Sequence, residues 1–239
     1  MKPLFGLTMR QLYSRKRVIV IYLLALVPVV LTAIDIATSS ERSTFGFAVF
    51  VLDGMVISAI LPVVVLTLAT TCFGTEIDDK TLSHVALTPL RPWQIVLPKF
   101  LVCCVLAGIP ILLAGLVSAY FGLDGDLAAV GLVALALAGA VVAYSAVFVW
   151  AGLISTRALG FGLVYVLLWE GVMTSFLGGI RYLSIHAYAL GILNWTGADV
   201  FRGVADRAVE LPAAAAGIVL VTAIFLFLTI RRLRNMDIP

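Results

Sequence analysis

Charged side chains are scarce in this sequence: they make up 12% of 239 residues, against 62% hydrophobic, about half the ~25% charged share of an ordinary globular domain. A chain so composed cannot cover a water-facing surface, which excludes a soluble protein and makes lipid the solvent. Histidine occurs only twice, at His84 and His186. That is too few for the clustered His, Asp and Glu that a membrane-embedded protease or lipid transferase needs on facing helices. Cysteine occurs three times, as Cys72, Cys103 and Cys104. An odd set at the ends of apolar runs is no disulfide framework, and no His/Cys spacing matches zinc, so these read as small packing residues. Lysine occurs four times (Lys2, Lys16, Lys80, Lys99), and none follows glycine. A P-loop needs G-x-x-x-x-G-K-[ST] to cradle phosphate with backbone N–H groups, so ATP hydrolysis by that route is excluded. The expectation is a chain with no catalytic, cofactor or metal site of its own, and no nucleic-acid partner.

What is abundant is long apolar sequence. Crossing ~30 Å of hydrocarbon at ~1.5 Å per residue takes about 20 residues, and six runs approach or exceed that, at about 18–36, 47–73, 99–121, 127–153, 159–177 and 212–230. They predict an all-α, multi-pass membrane protein with a single transmembrane domain over residues 1–239. The first run follows Arg15, Lys16 and Arg17 but has no convincing small-residue cleavage site, and five more runs follow, so it reads as a retained span. Residues 1–17 place Phe5, Met9, Leu12 and Tyr13 on one helical face and Arg10, Ser14 and Arg17 on the other, the pattern of a basic helix lying on the lipid surface.

Six spans put both termini on one side. Twelve of the sixteen basic residues fall on that side, leaving Arg42, Arg181, Arg202 and Arg207 on the other. By the positive-inside rule the basic side is cytoplasmic, so both termini and the 74–98 segment face the cytoplasm of a cell-membrane protein. The turn "GLDGD" (122–126) then lies outside, as does a longer region, 178–211. The latter is too polar to span and too apolar to be disordered. Tyr182, Tyr188 and Trp195 there suit a membrane interface, and short interfacial or re-entrant helices are expected.

The 74–98 segment is the main polar interruption. Thr75 and Asp78 match the [ST]-x-x-[DE] capping box, and Glu76, Asp78 and Asp79 place negative charge where a helix N-terminus favours it. Ile77, Leu82, Val85 and Ala86 share a face. Thr88-Pro89 stops the helix, and Arg91-Pro92-Trp93 restarts the chain. A short cytoplasmic helix over about 75–87 is predicted. The pattern fits an interfacial strut and a docking surface equally well.

The order Glu76, Thr81-Leu82, Leu87-Thr88-Pro89, Ile95, Lys99-Phe100 resembles the signature between the second and third spans of type-2 (exporter-type) ABC-transporter permeases. Lys80 stands where that family usually has glycine, and Pro98 where glycine usually precedes the lysine. The resemblance is in sequence mainly over 74–101, and in topology over the whole chain. It implies that 75–87 is a coupling helix seated in a separate ATP-binding subunit, with Glu76, Ile77, Asp78, Asp79, Thr81, Leu82 and Val85 as the docking residues. It further implies that ATP and Mg are bound by that partner, that a second permease copy or homologue completes the pore, and that cargo moves outward.

Two carboxylates lie inside spans. Glu170 is about twelve residues from the inner end of the fifth span and Asp53 six from the outer end of the second, so ~18 Å up and ~9 Å down at ~1.5 Å per residue. Intramembrane ionisable groups are functional candidates by default. Each also has a structural reading, as a helix-to-helix hydrogen bond or a protonated acid paired with Ser175, Thr174 or Tyr165; in the functional reading Glu170 lines an outward cavity or anchors the outer helices through Arg181. An ion-coupled secondary transporter using Asp53 and Glu170 is the alternative function, although no internal repeat of the kind common in such carriers is present. Pro28, Pro62 and Pro110 fall within spans, as hinges or as tolerated breaks. Ala134/Ala138 and Gly139/Ala143 offer close helix approach in the fourth.

Overall fold

The computed structural model describes residues 15–38, 44–78, 91–155, 157–168, 178–196 and 199–235. Among them every regular element is helical. Helix α1 is Arg15–Thr38. Helix α2 joins three contiguous pieces, Thr44–Phe47, a π-helical Ala48–Ile60 and Leu61–Asp78. Then come α3 (Pro92–Gly122), α4 (Leu127–Ile154), α5 (Ala158–Val164), α6 (Ile185–Leu193) and α7 (Leu211–Arg234).

Among the described residues five helices are long and apolar enough to cross a membrane: Val18–Thr38, Thr44–Gly74, Pro92–Gly122, Leu127–Ile154 and Leu211–Arg234. They coincide with five of the six expected runs. For the remaining run, 159–177, the apolar helix Ala158–Leu168 is described and 169–177 lies outside the described residues, as do residues 1–14 of the expected interfacial helix. The third span starts at Pro92, seven residues before the expected 99. The backbone N–H of Arg91 donates to Gln94 Oε1 at 3.0 Å, and Pro92 occupies the first turn, where its missing N–H forfeits no bond.

Helix α4 is the centre of the bundle and packs against α2, α3, α5, α6 and α7. Its sequence explains why. Ala136, Ala140, Ala143 and Ala146 are fully buried, and small side chains let neighbouring backbones approach in lipid, where packing rather than water exclusion holds helices together. A Cβ on Gly152 would lie 2.7 Å from the Thr70 carbonyl oxygen, so α2 and α4 touch backbone to backbone there. At Gly139 an added Cβ would sit 2.9 Å from Ile218 and 3.5 Å from Ile192. The expected close approach at Gly139 therefore lies within the chain, against α7 and α6. In contrast α1 and α7 are peripheral, with Leu23, Val219 and Phe227 more than half exposed, as lipid-facing surfaces are.

Contacts sort the helices by end. Thr70 meets Gly152, Cys72 meets Lys99, and Trp150 stacks edge-on with Phe225 at one end. Phe47 meets Gly122, and Phe45 and Val49 meet Gly203, at the other. Arg91, Arg157, Arg231, Arg232 and Arg234 belong to the first end; Arg181, Arg202 and Arg207 belong to the second. There the α3–α4 turn closes with Gly125 at φ 78°, beside Asp124 at 52°, a conformation glycine adopts freely. Asp126 caps α4 by accepting from the N–H groups of Ala128 (2.9 Å) and Ala129 (3.3 Å).

Prolines do not break the spans. Pro28, Pro98 and Pro110 lie inside continuous helices. Pro62 falls where the π-helical piece gives way to α-helix; having no N–H to donate, it is a place where the ladder changes spacing without losing that bond. The π spacing is visible where the Leu61 N–H donates to Val56 O, five residues back.

Candidate functional site

Asp53 sits in the π-helical piece of α2 with 1% of its surface exposed. Wide turns of this kind mostly occur singly and often at functional sites; here the run is 13 residues long. It places Val51, Leu52, Asp53, Val56 and Ile57 all in the interior. The carboxylate is held from the region between α5 and α7. His186 Nε2 is 2.6 Å from Asp53 Oδ1, and Arg207 Nη1 donates to Asp53 Oδ2 at 2.9 Å.

His186 is positioned by α6, whose first turn is capped by Ser184 accepting from the Ala187 N–H at 3.1 Å. That helix is tucked into the bundle against α4 and α7, with Ile185, Ala187, Ala189 and Leu190 buried. It is one of the short helices expected within 178–211. Tyr188 departs from the interfacial role expected of it: it is 5% exposed, its ring lies against Gly217, and its hydroxyl donates to the Tyr182 carbonyl. Tyr182 and Trp195 are both more than half exposed. Arg207 follows the short turn Arg202–Ala205; its side chain is 60% exposed, so its charge meets Asp53 from the solvent side.

Ser58 Oγ also lies 3.0 Å from His186 Nε2, which brings a serine, a histidine and an aspartate together. They do not form a nucleophilic relay. Such a relay needs the aspartate on one ring nitrogen and the serine on the other, whereas here both converge on Nε2. A carboxylate beside a permanently charged guanidinium accepts from both neighbours, which places the ring proton on Nε2. The arrangement is a charge clasp between α2 and the 178–210 region. Leaving a buried carboxylate unpaired costs about 3–5 kcal/mol. Among the described residues no group of three or more His, Cys, Asp or Glu is disposed to hold a metal ion.

At the opposite end Lys99, 4% exposed, donates from Nζ to the Cys72 carbonyl at 2.6 Å and lies 4.1 Å from the Phe73 ring centroid. This ties the first turns of α3 to the last turns of α2. Cys103 Sγ contacts Ser145 Oγ at 3.8 Å, and the three cysteines are free thiols.

Of the expected docking residues, Glu76, Ile77 and Asp78 fall on the last turn of α2, which runs unbroken from Leu61 to Asp78. That corrects one local expectation: no helix starts at Thr75. The [ST]-x-x-[DE] pattern caps only where the preceding turn ends, and here the N–H groups of 75–78 continue an existing helix. Asp79, Thr81, Leu82 and Val85, the helix over 75–87 beyond Asp78, and Glu170 lie outside the described residues. Sequence reasoning found Asp53 but missed its partners His186 and Arg207, which lie 133 and 154 positions away. The one available signal was that 178–211 holds one of only two histidines.

Residues 13–177 match the profile of a family described as ABC-2 family transporter protein. No curated protein sequence matches the chain. The match takes in helices α1 to α5, with both arms of the α2–α3 pair and the central α4, so the chain is a multi-pass membrane permease that belongs to the ABC-2 transporter family.

Proposed function

We propose that this permease is the membrane half of an ATP-driven exporter, coupled to a separate cytoplasmic ATPase through the connection between α2 and α3. The observation that carries this reading is the family match across residues 13–177, which spans that connection, in a chain whose four lysines include none in a P-loop. ATP and Mg are bound by the partner. A second permease copy or a homologue completes the pathway, and both termini face the cytoplasm of the cell membrane. The family's coupling residues carry over as Glu76, Ile77, Asp78, Asp79, Thr81, Leu82 and Val85. The Lys99 tie supports this assignment physically: it fastens the two helices at the base of the connection, so a push on residues 79–90 moves them as a pair. An ion-coupled carrier is disfavoured because Asp53 is already matched by Arg207, which leaves little negative charge to attract a transported cation.

The test is reconstitution of the permease with its co-purified ATPase, with and without Glu76→Lys and Asp79→Lys. Charge reversal is expected to weaken association and to abolish stimulation of ATP hydrolysis. Absence of any co-purifying ATPase, together with transport driven by a proton gradient alone, would overturn the proposal.

A further inference from the structure

Asp53 has two partners of different kinds. His186 belongs to a buried helix, and its side chain is 9% exposed. Arg207 belongs to the segment 199–207 that lies over the outer end of α2, and its side chain is 60% exposed. The same segment is seated closely on α2. An added Cβ on Gly203 would stand 2.5 Å from Val49 and 2.7 Å from Phe45, and Phe201 is fully buried. It is fastened on its far side by Arg181, whose guanidinium donates to the Asp206 carbonyl. Residues 199–207 are thus a strap pinned at two adjacent positions, once to the turn Gly178–Leu183 and once to α2.

We propose that Arg207 is the releasable pin of an outer gate: it holds the strap 199–207 down on α2 while the exit is shut, and leaves Asp53 when α2 shifts. Release is asymmetric for a physical reason. A guanidinium already mostly in water regains hydration at little cost, whereas His186 is held by its own helix. Asp53 therefore keeps His186, and water admitted by the lifted strap takes the place of Arg207. The lever is built into the fold, because α2 is one helix over residues 44–78, with the clasp near one end and the α2–α3 connection at the other. A hydrogen bond weakens steeply once donor and acceptor separate beyond about 3.5 Å, so a shift of about 0.7 Å in α2 undoes the 2.9 Å pin to Arg207 and leaves the 2.6 Å contact to His186 within reach. This rests on the exporter reading for the movement of α2, but not for the pin itself.

The experiment uses the whole permease–ATPase complex in intact cells, with Cys72, Cys103 and Cys104 replaced by serine and one reporter, Ala187→Cys, next to His186 and 2% exposed. A membrane-impermeant maleimide is applied from outside. In the parent, labelling should be slow without ATP turnover and faster with it. Arg207→Gln should raise the rate without turnover about tenfold, the equivalent of ~1.4 kcal/mol in the shut–open equilibrium. It should leave the melting temperature within a few degrees of the parent, and Arg207→Lys should restore most of the slow labelling. Unchanged labelling in Arg207→Gln overturns the proposal, as does a large fall in melting temperature without faster labelling, which would make the contact a passive brace. If the exporter reading alone is wrong, turnover leaves parental labelling unchanged while Arg207→Gln still accelerates it.

Discussion

Replacing Gly152 by alanine adds one methyl group where α2 and α4 touch backbone to backbone. The new Cβ would stand 2.7 Å from the Thr70 carbonyl oxygen and 2.8 Å from its Cα. Carbon atoms prefer about 3.5–4.0 Å, so α2 and α4 must separate locally by about 0.7 Å or more. The obstacle is backbone, and no rotamer change relieves it. A gap of ~0.5–1 Å forfeits a quarter to a half of each dispersion contact along the opened seam, and overpacking of this kind costs about 1–3 kcal/mol. For a chain of this size that lowers the melting temperature by about 2–12 °C. Helix propensity acts the other way, since alanine is favoured over glycine by up to about 1 kcal/mol. A control separates the two effects: at Gly131, on the same helix, nothing lies within 4 Å of an added Cβ. In detergent, with melting followed by loss of the monodisperse chromatographic peak, Gly152→Ala should melt well below the parent and Gly131→Ala at or above it. If the two variants melt together, backbone contact between α2 and α4 is not what limits stability.

Two further outcomes follow from the polar contacts. His186→Ala leaves Asp53 with one partner and should destabilise by about 2–4 kcal/mol, while adding Asp53→Asn should recover part of that, a non-additivity of about 1–3 kcal/mol readable by a double-mutant cycle of melting temperatures. Lys99→Met keeps the aliphatic stem and removes a buried charge, so it should melt within a few degrees of the parent yet reduce ATP-driven transport about fivefold or more in proteoliposomes. Equal loss of stability and transport would instead make Lys99 a purely structural tie.

How far the sequence discloses this molecule depends on the range of the interaction concerned. The spans are visible because hydrocarbon imposes length and apolarity on each helix by itself, and α4 and α7 begin within a residue of where their apolar runs begin. The turn at Gly125 and the cap at Asp126 are local chemistry and equally visible. The start of α3 at Pro92 was signalled by Arg91-Pro92-Trp93, although the apolar run alone suggested 99. The failure at Thr75 is instructive: a capping box reports affinity for a helix start but not whether the preceding helix has ended. The π-helical stretch leaves no periodicity in a run whose residues are nearly all apolar. The clasp was half visible. Burial of a carboxylate flags Asp53 from composition, but the histidine and arginine that satisfy it come from a different part of the chain, and no local pattern joins them.

Helix α4 also determines where the molecule is free to change. Its buried alanines, with Gly139 and Gly152, sit where one added carbon meets a neighbouring helix and where little remains to be removed, so volume rather than hydrophobicity is the constrained property there. On the outward faces of α1 and α7 the constraint inverts: leucine, valine, phenylalanine and isoleucine all meet lipid equally well. Random substitution should therefore be tolerated in two separate currencies, by polarity on the lipid-facing helices and by size on the central one. A mutational scan that exchanges alanine for valine would trace the axis of the bundle without reference to any coordinates.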